Sequence, residues 1–104
     1  MKTDKTRTSD SLARGLRVIR ALRGQTLTGV SNGELAKALG ESPATINRCI
    51  NTLIAEGFAM RLENGRFALS VSLLQIAQAH ADEINRATNR IHELSQRVAA
   101  GSHL

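Results

Sequence analysis

Aromatic side chains are almost missing: Phe58 and Phe67 are the only two in 104 residues, with no tryptophan or tyrosine. That argues against single-strand nucleic-acid binders, which stack bases on several exposed rings. The single cysteine, Cys49, excludes an intramolecular disulfide framework and any all-cysteine metal site, and it fits a reducing cytosol. Its position on the inner side of a helix predicts packing rather than redox sensing. His80, His92 and His103 are too scattered to form a metal cluster. There is no glycine-rich phosphate loop, no Cys–His pair in a plausible site and no pair of carboxylates away from solvent faces, so no catalysis and no cofactor are expected. No stretch approaches the roughly 18 apolar residues of a membrane span. The basic start lacks the apolar core of a signal peptide, which predicts a cytoplasmic protein with no membrane contact.

What is present is a localised positive charge. The formal net charge is +5. Residues 1–23 carry Lys2, Lys5, Arg7, Arg14, Arg17, Arg20 and Arg23 against Asp4 and Asp10, and the two later thirds are balanced. A concentrated basic segment is the usual footprint of phosphate contact, although short solvated basic tails are also common. Lys2, Lys5, Arg7 and Arg14 could follow a nucleic-acid backbone or enter a minor groove.

The chain is organised around residues 31–57, SNGELAKALGESPATINRCINTLIAEG. Ser31 and Glu34 have the spacing of a capping box, in which each side chain satisfies a free backbone N–H. A short helix then runs through Leu35, Ala36 and Leu39 to Gly40, where glycine permits a sharp left-handed turn. Ser42 and Pro43 open the next helix as its cap and first residue. Ala36 must be small where the helices cross, and Leu35, Leu39, Ile46, Cys49, Ile50 and Leu53 complete the inner side. This is the pattern of a helix-turn-helix, whose second helix enters the DNA major groove. On its outer side Ala44, Asn47, Arg48 and Asn51 share one face. Asparagine can pair bidentately with adenine and arginine with guanine, and alanine can touch a thymine methyl. Ser42 and Thr45, at the helix start, can bond phosphate. The bland alternative is an ordinary helical hairpin with a solvated outer face.

Upstream, residues 1–10 form a polar, basic arm. Asp10 or Ser11 caps a helix over 11–23, whose apolar stripe is Leu12, Leu16, Ile19 and Leu22. Leu27 and Val30 of the following linker dip into the core. Downstream, two short extended runs flank Asn64-Gly65 and predict a hairpin turn with positive φ, a wing. Arg61 and Arg66 beside that turn face phosphate. From Ser70 to about Ala100 there is no glycine or proline, and Ser72 with Gln75 could cap this long helix. Its Leu73, Ala77, His80, Ile84, Ala87, Ile91, Leu94 and Val98 recur in steps of four and three, a heptad seam flanked by Glu83, Arg90 and Arg97. A helix of about 42 Å cannot bury that seam on its own small domain, which predicts a second copy. A paired His80 could make the association pH-sensitive, against the plainer reading of a tolerated polar seam residue. Residues 101–104 read as a disordered tail.

Ser11-Leu12-Ala13-Arg14-Gly15-Leu16, the segment ELAKALGESPATINRCINTLIAEGF, and Gly65-Arg66-Phe67-Ala68-Leu69 followed by Leu73-Leu74 resemble the N-terminal winged helix-turn-helix domain of IclR-type transcriptional regulators. The resemblance covers residues 10–80. It implies a dimer on a palindromic operator, with the helix after the turn in the major groove and the wing along the backbone. It also implies a dimer contact built by the first helix and the helix after the wing. Such regulators continue into a ligand-sensing domain, absent from these 104 residues, so no small-molecule effector is expected.

The expected fold is mainly α with a small β-hairpin: a flexible arm over 1–10, a winged helix-turn-helix over 11–69, a dimerisation helix over 70–100 and a tail over 101–104. The expected function is a homodimeric regulator of transcription, a repressor, that binds double-stranded DNA in a sequence-specific way. The alternatives are an accessory DNA-binding protein of a phage or mobile element, or a protein-interaction module built on a winged helix.

Overall fold

The structure, a computed structural model, describes residues 6–102. Lys2, Lys5 and the rest of the first half of the expected arm, and His103, lie outside the described residues. Four helices and one hairpin follow in the order α1 (Asp10–Leu22), α2 (Asn32–Leu39), α3 (Pro43–Ala55), β1 (Ala59–Arg61), β2 (Phe67–Leu69) and α4 (Val71–Gly101). The chain divides into two compact units, one ending at Leu73 and the other starting at Leu74.

In the first unit, α1 starts one residue earlier than either expected cap allows. Ser9 is the N-cap, its hydroxyl accepting from the Leu12 N–H at 3.2 Å. Asp10 falls in the first turn, where a carboxylate meets the positive end of the helix dipole. The buried face of α1 is also rotated from the expected stripe. Val18 and Leu22 are fully buried, whereas Leu12 is 63% and Leu16 46% exposed. The C-terminal half of α1 is the half enclosed by the core.

The capping box of α2 forms as expected: Glu34 N–H donates to the Ser31 hydroxyl at 3.1 Å, and Ser31 N–H donates to Glu34 Oε1 at 2.9 Å. Gly40 takes φ +66 and turns the chain. Ser42 then caps α3 through the Thr45 N–H, with Pro43 in the first turn. Asn32 Nδ2 reaches across the turn to the Pro43 carbonyl at 3.2 Å. Leu35, Ala36, Ile46, Ile50 and Leu53 pack with Val18, Leu22, Ala59 and Phe67 into one core, and Leu39 and Cys49 are half-buried against it. Burial of such side chains is the main stabilising term of a domain this small.

The hairpin is antiparallel, with Ala59 opposite Leu69 and Arg61 opposite Phe67. Of the Asn64-Gly65 pair only Gly65 has positive φ, at +84. The Gly65 N–H donates to the Leu62 carbonyl at 2.9 Å and Leu62 N–H to the Arg66 carbonyl at 2.7 Å. This is a three-residue connection, Glu63-Asn64-Gly65, a tight turn followed by a left-handed glycine. Val30 exchanges two backbone bonds with Phe67, so the linker adds a bridge to the hairpin edge. Val30 thereby reaches the core, but Leu27 is 92% exposed, contrary to expectation. Gly29, at φ +74, brings Val30 to the hairpin and leaves Leu27 on the outside of the bend.

The helix α4 begins at Val71, so Ser72 lies inside it and the expected Ser72–Gln75 cap does not form. Ser70 donates its hydroxyl instead to the Gly57 carbonyl. At the other end Gly101 is helical, and Ser102 N–H bonds the Val98 carbonyl at 3.0 Å. The helix therefore takes in Gly101, the first residue of the expected tail, and Ser102 follows as a turn. None of the 31 residues of α4 is buried. No helix among the described residues is long and apolar enough to cross a membrane.

Candidate nucleic-acid interface

The inner side of α3 is fixed by burial, and that decides what its outer side presents. Ile46, Ile50 and Leu53 point into the core, while Ala44, Asn47, Arg48 and Asn51 are all exposed. Since α3 has a period of about 3.6 residues, these four share one solvent-facing stripe. Their elevation above the core is held by the cap: Ser42 donates its hydroxyl to Thr45 Oγ1 at 2.9 Å and accepts from the Thr45 N–H at 3.1 Å. Arg48 Nη2 donates to the same Thr45 Oγ1 at 3.3 Å, which restrains the arginine along the helix axis. Exposed donors and acceptors at the start of a helix, with its free N–H groups beside them, suit an anion such as phosphate.

Among the described residues the arginines of the first unit sort into exposed and engaged groups. Arg17 and Arg20 of α1, Arg23 just after it and Arg7 before it are exposed. Arg61 on β1 is exposed too, with its guanidinium carbon 4.8 Å from the centre of the Phe67 ring. That stacking orients the guanidinium without neutralising it. Arg14 instead pairs with Glu41 at 3.4 Å, linking α1 to the turn between α2 and α3. Arg66, expected to face phosphate, is engaged by groups of its own unit. It donates through Nε to the Thr28 carbonyl at 3.1 Å, through Nη2 to the Gly29 carbonyl at 3.2 Å, and pairs with Glu34 at 2.5 Å. The backbone N–H of Ser31 holds the Glu34 carboxyl below the ordinary carboxylate range, helped by the Ser31 hydroxyl and the Arg66 charge.

Sequence reasoning missed one more feature of the first unit. An open groove of about 570 Å³ lies between α1 and α3, with Leu12, Leu16, Ile19, Cys49, Leu53 and Phe58 on its walls and Arg48 at its edge. The two leucines expected in the core line this groove instead. Cys49 is half-buried there rather than sealed. Among the described residues no three His, Cys, Asp or Glu side chains gather to hold a metal ion.

The seam residues lie on α4 in the second unit, apart from Leu73, which is half-buried and closes the first. Ala77, His80, Ile84, Ala87, Ile91, Leu94 and Val98 are exposed.

The model of the family described as the IclR helix-turn-helix domain matches residues 11–63, which runs from α1 to the wing turn. The chain belongs to this family. Two solved IclR-family regulators have the same fold over most of its length. One, from Brucella abortus, is 25% identical with a TM-score of 0.65, over 77% of this chain and 30% of its own. The other, an IclR transcriptional regulator from Alicyclobacillus acidocaldarius, is 27% identical with a TM-score of 0.67, over 73% of this chain and 31% of its own. The chain thus spans about a third of the length of these regulators. No curated protein matches it. The IclR-type unit is the same segment whose outer face on α3 was derived above from burial alone.

Proposed function

We propose that this chain binds double-stranded DNA as a sequence-specific homodimeric regulator of transcription. The observation that carries the reading is the exposed stripe Ala44, Asn47, Arg48 and Asn51 on the second helix of an IclR-type helix-turn-helix. Lodged in the major groove, Asn47 pairs with adenine, Arg48 with guanine, and Ala44 meets a thymine methyl. Asn51 extends the contact by one helical turn. Ser42 and Thr45 place the helix start against a phosphate.

Bulk attraction comes from elsewhere. Residues 24–69 are electrically balanced, so the exposed arginines of α1 and Arg61 of the wing supply the charge that follows the backbone. Arg14 and Arg66 contribute indirectly, by holding the reading helix and the wing in place. The seam on α4 joins two chains, which doubles the site and imposes two-fold symmetry on it. A dimer sitting on a promoter excludes polymerase with no further surface, which is the simplest route to repression. The role is one of binding, in the compartment that holds the DNA, the cytoplasm.

Unbiased selection of bound duplexes from a random library tests this. The expected product is an inverted repeat retained in gel shifts against excess non-specific DNA. Recovery of no sequence preference at low salt contradicts it.

A further inference from the structure

Within its own unit the seam of α4 is exposed, and its pattern specifies how a second copy lies on it. We propose that α4 pairs with α4 of a second copy in antiparallel orientation, with the two-fold axis between Asn85 and Arg86. This rests on the homodimeric part of the function proposed above and adds its orientation and register.

Any seam of alternating steps of four and three has a midpoint about which it can be reversed. What distinguishes this one is what occupies the matched positions. About the point between Asn85 and Arg86, Ile84 meets Ala87 of the second copy, Ala77 meets Leu94, His80 meets Ile91 and Leu73 meets Val98. The two alanines each face a large side chain, so the layers are of similar width, as close packing requires. Parallel pairing stacks each residue on its own copy. It sets Ala77 on Ala77 and Ala87 on Ala87, with a wide layer of Ile84 between them and wide layers from Ile91 onward. Such alternation leaves voids at the alanines or splays the helices.

Charge makes the same choice and fixes the register. Glu83, Arg90 and Arg97 flank the seam on one side, and all three are exposed. The ion pairs among the described residues are Arg14–Glu41 and Arg66–Glu34, so Glu83 and Arg90 have no ionic partner among them. In the proposed register Glu83 lies beside Arg90 of the second copy, and the symmetry makes this contact twice. Slipping by one heptad in one direction sets Glu83 against Glu83, and slipping in the other moves Glu83 beside Arg97 but sets Arg90 against Arg90 on the axis. Parallel pairing places Glu83 near Thr88 and Arg90 near Ser95, with no ion pair at all. Like charges brought together reject the wrong registers more effectively than the correct pair attracts.

The register carries a length. Leu73 of each chain lies opposite Val98 of the other, so the two Leu73 positions are about 38 Å apart along the pair at 1.5 Å per residue. Leu73 ends the winged unit. Half-sites one turn of DNA apart are separated by about 34–36 Å.

Cysteine cross-linking in the full chain, with Cys49 replaced by serine, tests orientation directly. Ala77→Cys and Leu94→Cys chains, one carrying a mass tag, are prepared separately, then mixed, unfolded and refolded together under mild oxidation. The antiparallel register predicts disulfides between the two different chains, with little cross-linking in either preparation alone. Self-cross-linking of each preparation alone establishes parallel pairing and overturns the proposal. So does a dimer, seen by sedimentation, in which neither the mixture nor the separate chains cross-link. A monomer at tens of micromolar removes the homodimer itself, a different failure from a wrong orientation. The charges give an independent arm. Glu83→Arg should weaken dimerisation about tenfold, and adding Arg90→Glu should restore it. No change on the single substitution, or no recovery on the double, overturns the register.

Discussion

Arg66 and Glu34 meet at 2.5 Å, joining the wing to the first turn of α2. The same Glu34 Oε1 accepts from the Ser31 N–H at 2.9 Å. One carboxylate oxygen thus serves a helix cap and a tertiary contact between residues 32 positions apart. Arg66 extends the contact to the carbonyls of Thr28 and Gly29, so linker, α2 and wing meet at one guanidinium.

Glu34→Gln separates the two duties, because glutamine still closes a capping box but carries no charge. The wild-type carboxyl is held below the ordinary glutamate range, first by the Ser31 N–H. A lowered pKa contributes stability that is present above the unfolded value and lost as pH falls through the folded one. Thermal melts should therefore show the variant less stable than wild type at pH 7. The gap should begin to narrow as pH falls past the ordinary glutamate value of about 4.3 and close only below the lowered value of the folded state.

Gly29 is required by both backbone and space. Its φ is +74, and a Cβ there would lie 2.8 Å from Arg66 Cβ and from Leu62 Cδ1. Gly29→Ala should lower stability by about 2–4 kcal/mol, from a strained backbone together with overpacking. Gly40→Ala shares the positive φ, but nothing lies within 4 Å of its Cβ position. It should cost only about 1–2 kcal/mol, from the backbone alone. Urea denaturation of both variants checks the difference.

Two aliphatic positions that were both expected in the core, one on α3 and one in the linker, should now separate. Ile50→Ala, in a fully buried site, should cost about 2–5 kcal/mol. Leu27→Ala, at a site 92% exposed, should change stability by less than about 0.5 kcal/mol. Equal losses at both would contradict the position of the linker.

These contrasts show where the sequence was legible. The Ser31–Glu34 box, the Gly40 turn, the Ser42-Pro43 start and the Gly65 turn each depend on residues within a few positions of one another, so their chemistry shows in the chain itself. The inner and outer faces of α3 followed from one helical period. What could not be read is tertiary. Leu12 and Leu16 satisfy the helical pattern, yet only the half of α1 holding Val18 and Leu22 is enclosed. Arg14 and Arg66 look like any basic residue near a DNA-facing element until Glu41 and Glu34 are folded against them. Leu27 looks like a core residue until Gly29 bends the linker.

The wing supplies a prediction that distinguishes its two arginines. Arg61→Ala should weaken binding uniformly across DNA sequences and reduce the slope of log affinity against log salt by about one unit, the loss of one phosphate contact. Its stability should change little. Arg66→Ala should lower stability first, since it removes the contacts to Glu34, Thr28 and Gly29. Binding titrations at several salt concentrations, with melts of the same preparations, separate the two.

The most direct test of DNA reading by α3 is the ratio of affinities for a selected operator and for the same duplex with one half-site base pair changed, in wild type, Asn47→Ala and Arg48→Ala. If these side chains read bases, each substitution should cut discrimination at its own base pair by about 5- to 150-fold, equivalent to about 1–3 kcal/mol, and leave non-specific affinity nearly unchanged. Variants that keep the wild-type ratio at every position would contradict it.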